Sequence, residues 1–107
     1  MLSQEPCIPC RKETPPLRDA ELRALLVQLP DWELVADGKA IRRRFSFKNY
    51  VQALTFINSL TPMVEEANHH PDISFGWGYA EVTFTTHSIG GLHRNDFILA
   101  SKVSALA

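Results

Sequence analysis

Between Leu22 and Leu106 the apolar residues switch repeatedly between helical spacing and strand alternation, and that switching constrains the fold more than any single motif. Leu22, Leu25, Leu26 and Leu29 fall at i, i+3, i+4 and i+7, one stripe of a helix that Asp19 can cap and Pro30 ends. Trp32 to Ala36 and Lys39 to Phe47 then flank Asp37-Gly38, a dipeptide suited to the positive φ of a tight type I′ hairpin. In the second strand Ile41, Arg43, Phe45 and Phe47 alternate with Arg42, Arg44 and Ser46, so Phe45 and Phe47 are predicted to face the core and Arg42 and Arg44 the other side. Helical spacing returns at Val51, Leu54, Ile57, Leu60, Val64 and Ala67, predicting the longest helix over Asn49 to Asn68. Pro62 lies inside it and predicts a kink, or a restart capped by Thr61, because its ring clashes with the carbonyl of Asn58. His69-His70-Pro71 ends that helix. Ile73 to Trp77 and Tyr79 to Thr86 read as two more strands, the latter alternating Val82 and Phe84 with Glu81, Thr83 and Thr85. After Gly90-Gly91, Leu92 to Leu106 reads as a third helix, with His93 near its N-cap and Asp96 where a carboxylate satisfies free N–H groups.

The order is αββαββα, and the economical solution is a single α+β domain: a four-stranded antiparallel sheet with three helices packed on one face. A length of 107 residues suits one domain with one core. Hydrophobic residues at 45% and charged residues at 21% exclude a disordered chain. Eleven Lys and Arg against twelve Asp and Glu leave a formal charge of −1, which argues against nucleic acid as a partner held by counterion release. No apolar run reaches the roughly 18 residues of a membrane span, and Met1 to Cys10 lacks the pattern of a secretory signal. With two cysteines and no disulfide framework, a cytoplasmic location is expected.

Four of the seven prolines fall in residues 1–16, which therefore read as a flexible arm ahead of a domain spanning 17–107. The arm carries Cys7-Ile8-Pro9-Cys10, read foremost as a pair of free thiols; a zinc site needs about four ligands, and no second Cys pair is present.

All four histidines lie between positions 69 and 93. His69 and His70 end a helix, and His87 follows a strand. Imidazole titrates near neutral pH, so His69, His70 and His87 suit acid–base work. They do not suit a preformed metal face: adjacent helical residues diverge by about 100°, and no HxH or HxxxH spacing occurs. There is no GxGxxG, phosphate loop or GxSxG. Glu65 and Glu66, on the last turns of the second helix, read by themselves as a solvated face.

The run Glu65-Glu66-Ala67-Asn68-His69-His70-Pro71, then Trp77, Thr86-His87 and Gly91-Leu92-His93-Arg94-Asn95-Asp96, resembles the signature of the pterin-4a-carbinolamine dehydratases. The resemblance runs from Leu17 to the C-terminus and is nearest to bacterial members associated with phenylalanine hydroxylation; Pro62, and Asn95 where some members carry Arg, depart from the pattern. It implies dehydration of 4a-hydroxytetrahydropterin to quinonoid dihydropterin, recycling the cofactor of aromatic amino-acid hydroxylases, with no metal or other cofactor. It implies His69 and His87 as the proton-exchanging pair, His70 beside them, and Trp77, Asp96 and Glu66 on the substrate-binding side. Asp96 is divided between capping its helix and bonding a site histidine. A homodimer or homotetramer and a functional link to phenylalanine hydroxylase are implied as well. The alternatives are a non-catalytic dimerisation module, or a dehydratase acting on a molybdopterin-related pterin.

Overall fold

Four strands, β1 (Glu33–Val35), β2 (Ala40–Ser46), β3 (Asp72–Gly76) and β4 (Tyr79–Phe84), pair antiparallel in the order β1-β2-β4-β3. Three helices, α1 (Asp19–Val27), α2 (Tyr50–Ala67) and α3 (Arg94–Leu106), complete the predicted α+β arrangement, and two 3-10 turns lie at Leu2–Gln4 and His87–Ile89. The structure is a computed structural model that describes residues 2–8 and 14–107; Cys10 lies outside the described residues.

Strand alternation sets the layers. Register pairs Ile41 with Phe84, Arg43 with Val82 and Phe45 with Ala80, so these share one face. That face joins Leu22 and Leu25 of α1, Phe56, Leu60 and Val64 of α2, and Phe97 of α3 in one buried cluster. Burying each such large side chain is worth about 1.5–3 kcal/mol. Phe45 packs on Phe56 with ring centroids 4.7 Å apart, and Trp32 meets both Phe45 and Phe84. The opposite face is charged: Arg42 Nη2 lies 2.7 Å from Glu33 Oε1, and Arg44 stacks over the Tyr79 ring. Arg43, on the core side, stacks over Phe45 and donates to Ser104 Oγ at 3.0 Å. Trp32 Nε1 donates to the same oxygen at 2.8 Å, pinning the last turn of α3 to the sheet.

Four local expectations need correction. Asp19 is the first residue of α1 and not its cap; Arg18 holds the cap position, and its N–H donates to the Glu21 carboxylate at 3.0 Å. The β1–β2 link spans four residues, 36–39, because Ala36 (φ 53°), Asp37 (φ 56°) and Gly38 (φ 81°) all take positive φ and Val35 pairs with Ala40. α2 runs unbroken past Pro62 with no restart. Pro62 sits on the exposed side while Leu60 and Val64 hold the buried side, and Thr61 donates its hydroxyl to Ile57 O at 2.9 Å within the helix.

The fourth concerns the arm. Residues 2–8 pack on α3: Leu2 is 3% exposed and belongs to the core cluster. Glu5 accepts two hydrogen bonds from Arg94, at 2.9 and 2.7 Å. Ile8 exchanges two more with the Asn95 side chain. For residues 2–8 a buried leucine and these charged and amide pairs outweigh the loose attachment that the prolines suggest; residues 9–13 of the arm lie outside the described residues. Among the described residues, no helix is long and apolar enough to cross a membrane.

Candidate active site

The end of α2 aims the first histidine. Asn68 adopts the left-handed conformation (φ 51°), its N–H donates to Glu65 O, and the His69 N–H donates to Val64 O. This pair of bonds is a Schellman stop, which asparagine tolerates better than most residues. The chain leaves the helix there, and the His69 ring stacks against Phe84, tilted only 14° at 6.3 Å between centroids. His69 Nε2 lies 2.6 Å from Asp96 Oδ1.

Asp96 is fully buried in the first turn of α3. Its Oδ2 accepts the Thr86 hydroxyl at 2.6 Å and the His93 backbone N–H at 3.0 Å. Both roles expected for Asp96 are therefore present at once, the capping bond and the histidine bond. Because the other donors are fixed, the carboxylate is an acceptor and His69 Nε2 is the donor. Neutral His69 then carries its lone pair on Nδ1. His93, the N-cap, accepts the Asn95 N–H on Nδ1 at 3.0 Å. Loss of solvation holds its pKa below the ordinary histidine value, with neighbouring Asp96 opposing and His69 reinforcing the shift.

A cavity of about 480 Å³ opens beside this network, lined by Cys7, Ile8, Glu66, Ala67, Asn68, His69, Thr86, Ser88 and Asn95. That size falls within the range of small-molecule sites. Burial pushes the Cys7 thiol above its usual pKa, so it stays protonated at neutral pH. Among the described residues no group of three His, Cys, Asp or Glu side chains is placed to hold a metal ion.

Of the residues singled out from sequence, His69 and Glu66 line this cavity and Asp96 bonds His69 from beneath. The other three are placed elsewhere. His87 is exposed and lines a separate hollow with Lys39, Thr85 and Gly90. Thr86 is still extended and buried, whereas His87 opens the 3-10 turn His87–Ile89 beyond the end of β4 and is exposed there. His70 is exposed and pairs with exposed Glu65. Trp77 is 73% exposed in the β3–β4 turn, where Gly78 takes φ 85°; it ends no strand and lines no wall of the His69 cavity.

Gly90 (φ 66°) and Gly91 shape the loop between Thr86 and α3. Thr86 and Gly91 bridge each other, and a Cβ on Gly91 would sit 2.8 Å from Pro16 Cβ. The loop thereby fixes Thr86 and Ser88 on the cavity side. Sequence reasoning did not assign Thr86, Ser88, Asn68, Asn95 or Cys7 to the site. Strand parity with Phe84 was the available signal for Thr86; Cys7 had none, since its place depends on docking of the arm.

This arrangement has relatives. Residues 15–106 match the family profile described as pterin 4 alpha carbinolamine dehydratase. The chain belongs to the pterin-4a-carbinolamine dehydratase family. A provisionally named pterin-4-alpha-carbinolamine dehydratase of Cupriavidus pinatubonensis is 50% identical over 106 residues, covering 99% of this chain and 91% of that protein. A similarly named protein of Halorhodospira halophila is 49% identical, covering 98% and 96%. Among solved structures, a transcriptional coactivator/pterin dehydratase from Brucella melitensis superposes with a TM-score of 0.81 at 32% identity, over 86% of this chain and 98% of that one. A pterin dehydratase-like protein identified as a RuBisCO assembly factor in the alpha-carboxysome gives 0.62 at 28% identity, over 72% and 89%. Membership of the pterin-4a-carbinolamine dehydratase family thus rests on nearly the whole chain.

Proposed function

We propose that this chain dehydrates a 4a-hydroxytetrahydropterin to the quinonoid dihydropterin, and that His69, held by Asp96, is the group on which the chemistry turns. The observation that carries the reading is a cavity-lining imidazole whose second nitrogen is bonded to a fully buried carboxylate. The reaction breaks the C4a–O bond, removes the N5 proton, and forms the C4a=N5 bond as water leaves. It needs one group to take a proton and another to give one. His69 Nδ1 is suited to the first role, because Asp96 fixes the tautomer and stabilises the imidazolium that forms, the logic of a carboxylate-supported histidine base. His87 and His70 each directly follow a lining residue, Thr86 and His69. Both are exposed and outside the cavity lining, so we assign them to relaying protons between solvent and the leaving hydroxyl. Glu66 and the Thr86–Ser88 loop hold the ring. General acid and base steps of this kind each contribute about 10²–10⁴-fold. The step requires no metal or redox cofactor, and it would recycle the pterin of an aromatic amino-acid hydroxylase.

One observation favours a second reading. A structural relative is described as an assembly factor and another as a coactivator, so the same fold also carries binding roles. The purified chain, mixed with freshly generated 4a-hydroxytetrahydropterin, separates the two. Acceleration of quinonoid dihydropterin formation well above the uncatalysed rate supports the enzyme; a rate equal to buffer supports the binding module.

A further inference from the structure

Residues 2–8 reach the active site from the far end of the chain and stay there by specific bonds. Asn95 accepts the Ile8 N–H on Oδ1 at 3.1 Å and donates from Nδ2 to the Ile8 carbonyl at 2.6 Å, like one rung of a β-ladder. One residue earlier on α3, Arg94 grips Glu5 with two nitrogens, and Leu2 plugs into the core beyond it. Between these anchors Cys7 turns inward. It lines the His69 cavity on one side and, on the other, a smaller cavity of about 200 Å³ shared with Met63, Leu99 and Lys102. Cys7 is thus a partition between two spaces, and the segment 2–8 closes the His69 cavity on that side.

We propose that residues 2–8 form a substrate-binding wall of the active site, and that Asn95 is the positioning residue that sets this wall. Asn95 borders the cavity but is buried, and its carbonyl and an N–H are both taken by the Ile8 backbone, so it acts on substrate through Cys7 and Ile8. The protonated thiol of Cys7 presents a weakly polar surface suited to the face of a flat heteroaromatic ring. Asn68 and Ser88, which line the same cavity, offer hydrogen-bonding groups to the ring's edge. The identity of the ring as a pterin rests on the function proposed above; the wall itself does not. Removing the Asn95 side chain frees the wall without touching His69 or Asp96, and it leaves the Asn95 backbone N–H on His93 in place. Binding should suffer while proton transfer does not.

The test uses the full chain carrying Cys10→Ser, so that Cys7 is the remaining thiol, and reads two quantities. The first is the rate of Cys7 alkylation by iodoacetamide, with no pterin present. The second is KM and kcat for 4a-hydroxytetrahydropterin. Asn95→Ala should raise the alkylation rate about tenfold, as expected for losing two hydrogen bonds of ordinary net strength. It should raise KM several-fold while kcat stays within about twofold. Arg94→Ala, an exposed change that the fold tolerates, should shift both readouts the same way by a smaller factor. An unchanged alkylation rate in both variants overturns the wall. Faster alkylation with an unchanged KM overturns its contact with substrate, and a fall in kcat alone overturns the positioning role. A starting protein with no dehydratase activity overturns the pterin reading, and the alkylation rates then decide the wall by themselves.

Discussion

His69 Nε2 and Asp96 Oδ1 stand 2.6 Å apart, the imidazole partly open to a cavity and the carboxylate without solvent contact. A buried charge is tolerated when its lone pairs are filled, and Asp96 has three donors: His69, Thr86 and the His93 N–H. Asp96→Asn replaces one acceptor oxygen by a donor. Facing His69, that donor turns Nε2 into an acceptor and puts the imidazole proton on Nδ1, so the base on the cavity side is lost, and the charge-assisted bonds are lost with it. We expect a stability loss of about 1–3 kcal/mol in urea unfolding and a fall in kcat of about a hundredfold or more. Wild-type kcat in a folded Asp96→Asn variant would remove Asp96 from the mechanism.

The arm contributes to the fold as well as to the site. Leu2 is 3% exposed, so Leu2→Ala should cost about 1.5–3 kcal/mol, measured as a lower denaturation midpoint at unchanged m-value. A change within about 0.5 kcal/mol, the usual size for a surface substitution, would mean that residues 2–8 do not rest on α3 in solution.

His93 makes stability pH-dependent with a definite sign. Burial lowers its folded pKa, so the unfolded chain takes up this proton first as pH falls through about 6.5. Its contribution is therefore intact above that pH and is lost below it, at no more than about 1.4 kcal/mol per pH unit. His93→Asn keeps an N-cap acceptor for the Asn95 N–H and removes the titration. Between pH 7 and 5.5 the wild type should lose more stability than the variant; parallel curves would contradict the assignment.

Periodicity carried most of the fold because each helix and strand buries one face, and a buried face is written locally in the sequence. Leu22 and Leu25 in α1 and Val82 and Phe84 in β4 are buried as their spacing predicts. Asn49 caps α2 by accepting the Gln52 N–H. What local pattern does not encode is long-range docking: Glu5 meets Arg94 across 89 residues, and Ile8 meets Asn95 across 87. Leu2 is a single apolar residue with no period around it, so its burial had no signature. Strand parity with Phe84 reaches Thr86, which is buried, and stops there, because His87 opens the 3-10 turn His87–Ile89.

Self-association is the next expectation. β1 and β3 are the sheet edges; β1 has three residues, whereas β3 has five and leaves a longer row of unpaired backbone groups. α3 is largely covered within the chain itself. We therefore propose that β3 pairs with its copy in a homo-oligomer. Light scattering should give at least twice the 12.1 kDa of one chain, and a 12.1 kDa species alone at micromolar concentration would contradict this.

The most direct test of the account is the turnover of 4a-hydroxytetrahydropterin by the wild type and by His69→Ala, with His87→Ala as the companion variant. Each variant is checked for an unchanged circular dichroism spectrum. We expect the wild type to accelerate dehydration and His69→Ala to lose about two or more orders of magnitude in kcat, with His87→Ala also impaired. Near-wild-type turnover in a folded His69→Ala protein would show that the imidazole bonded to Asp96 is not where the chemistry occurs.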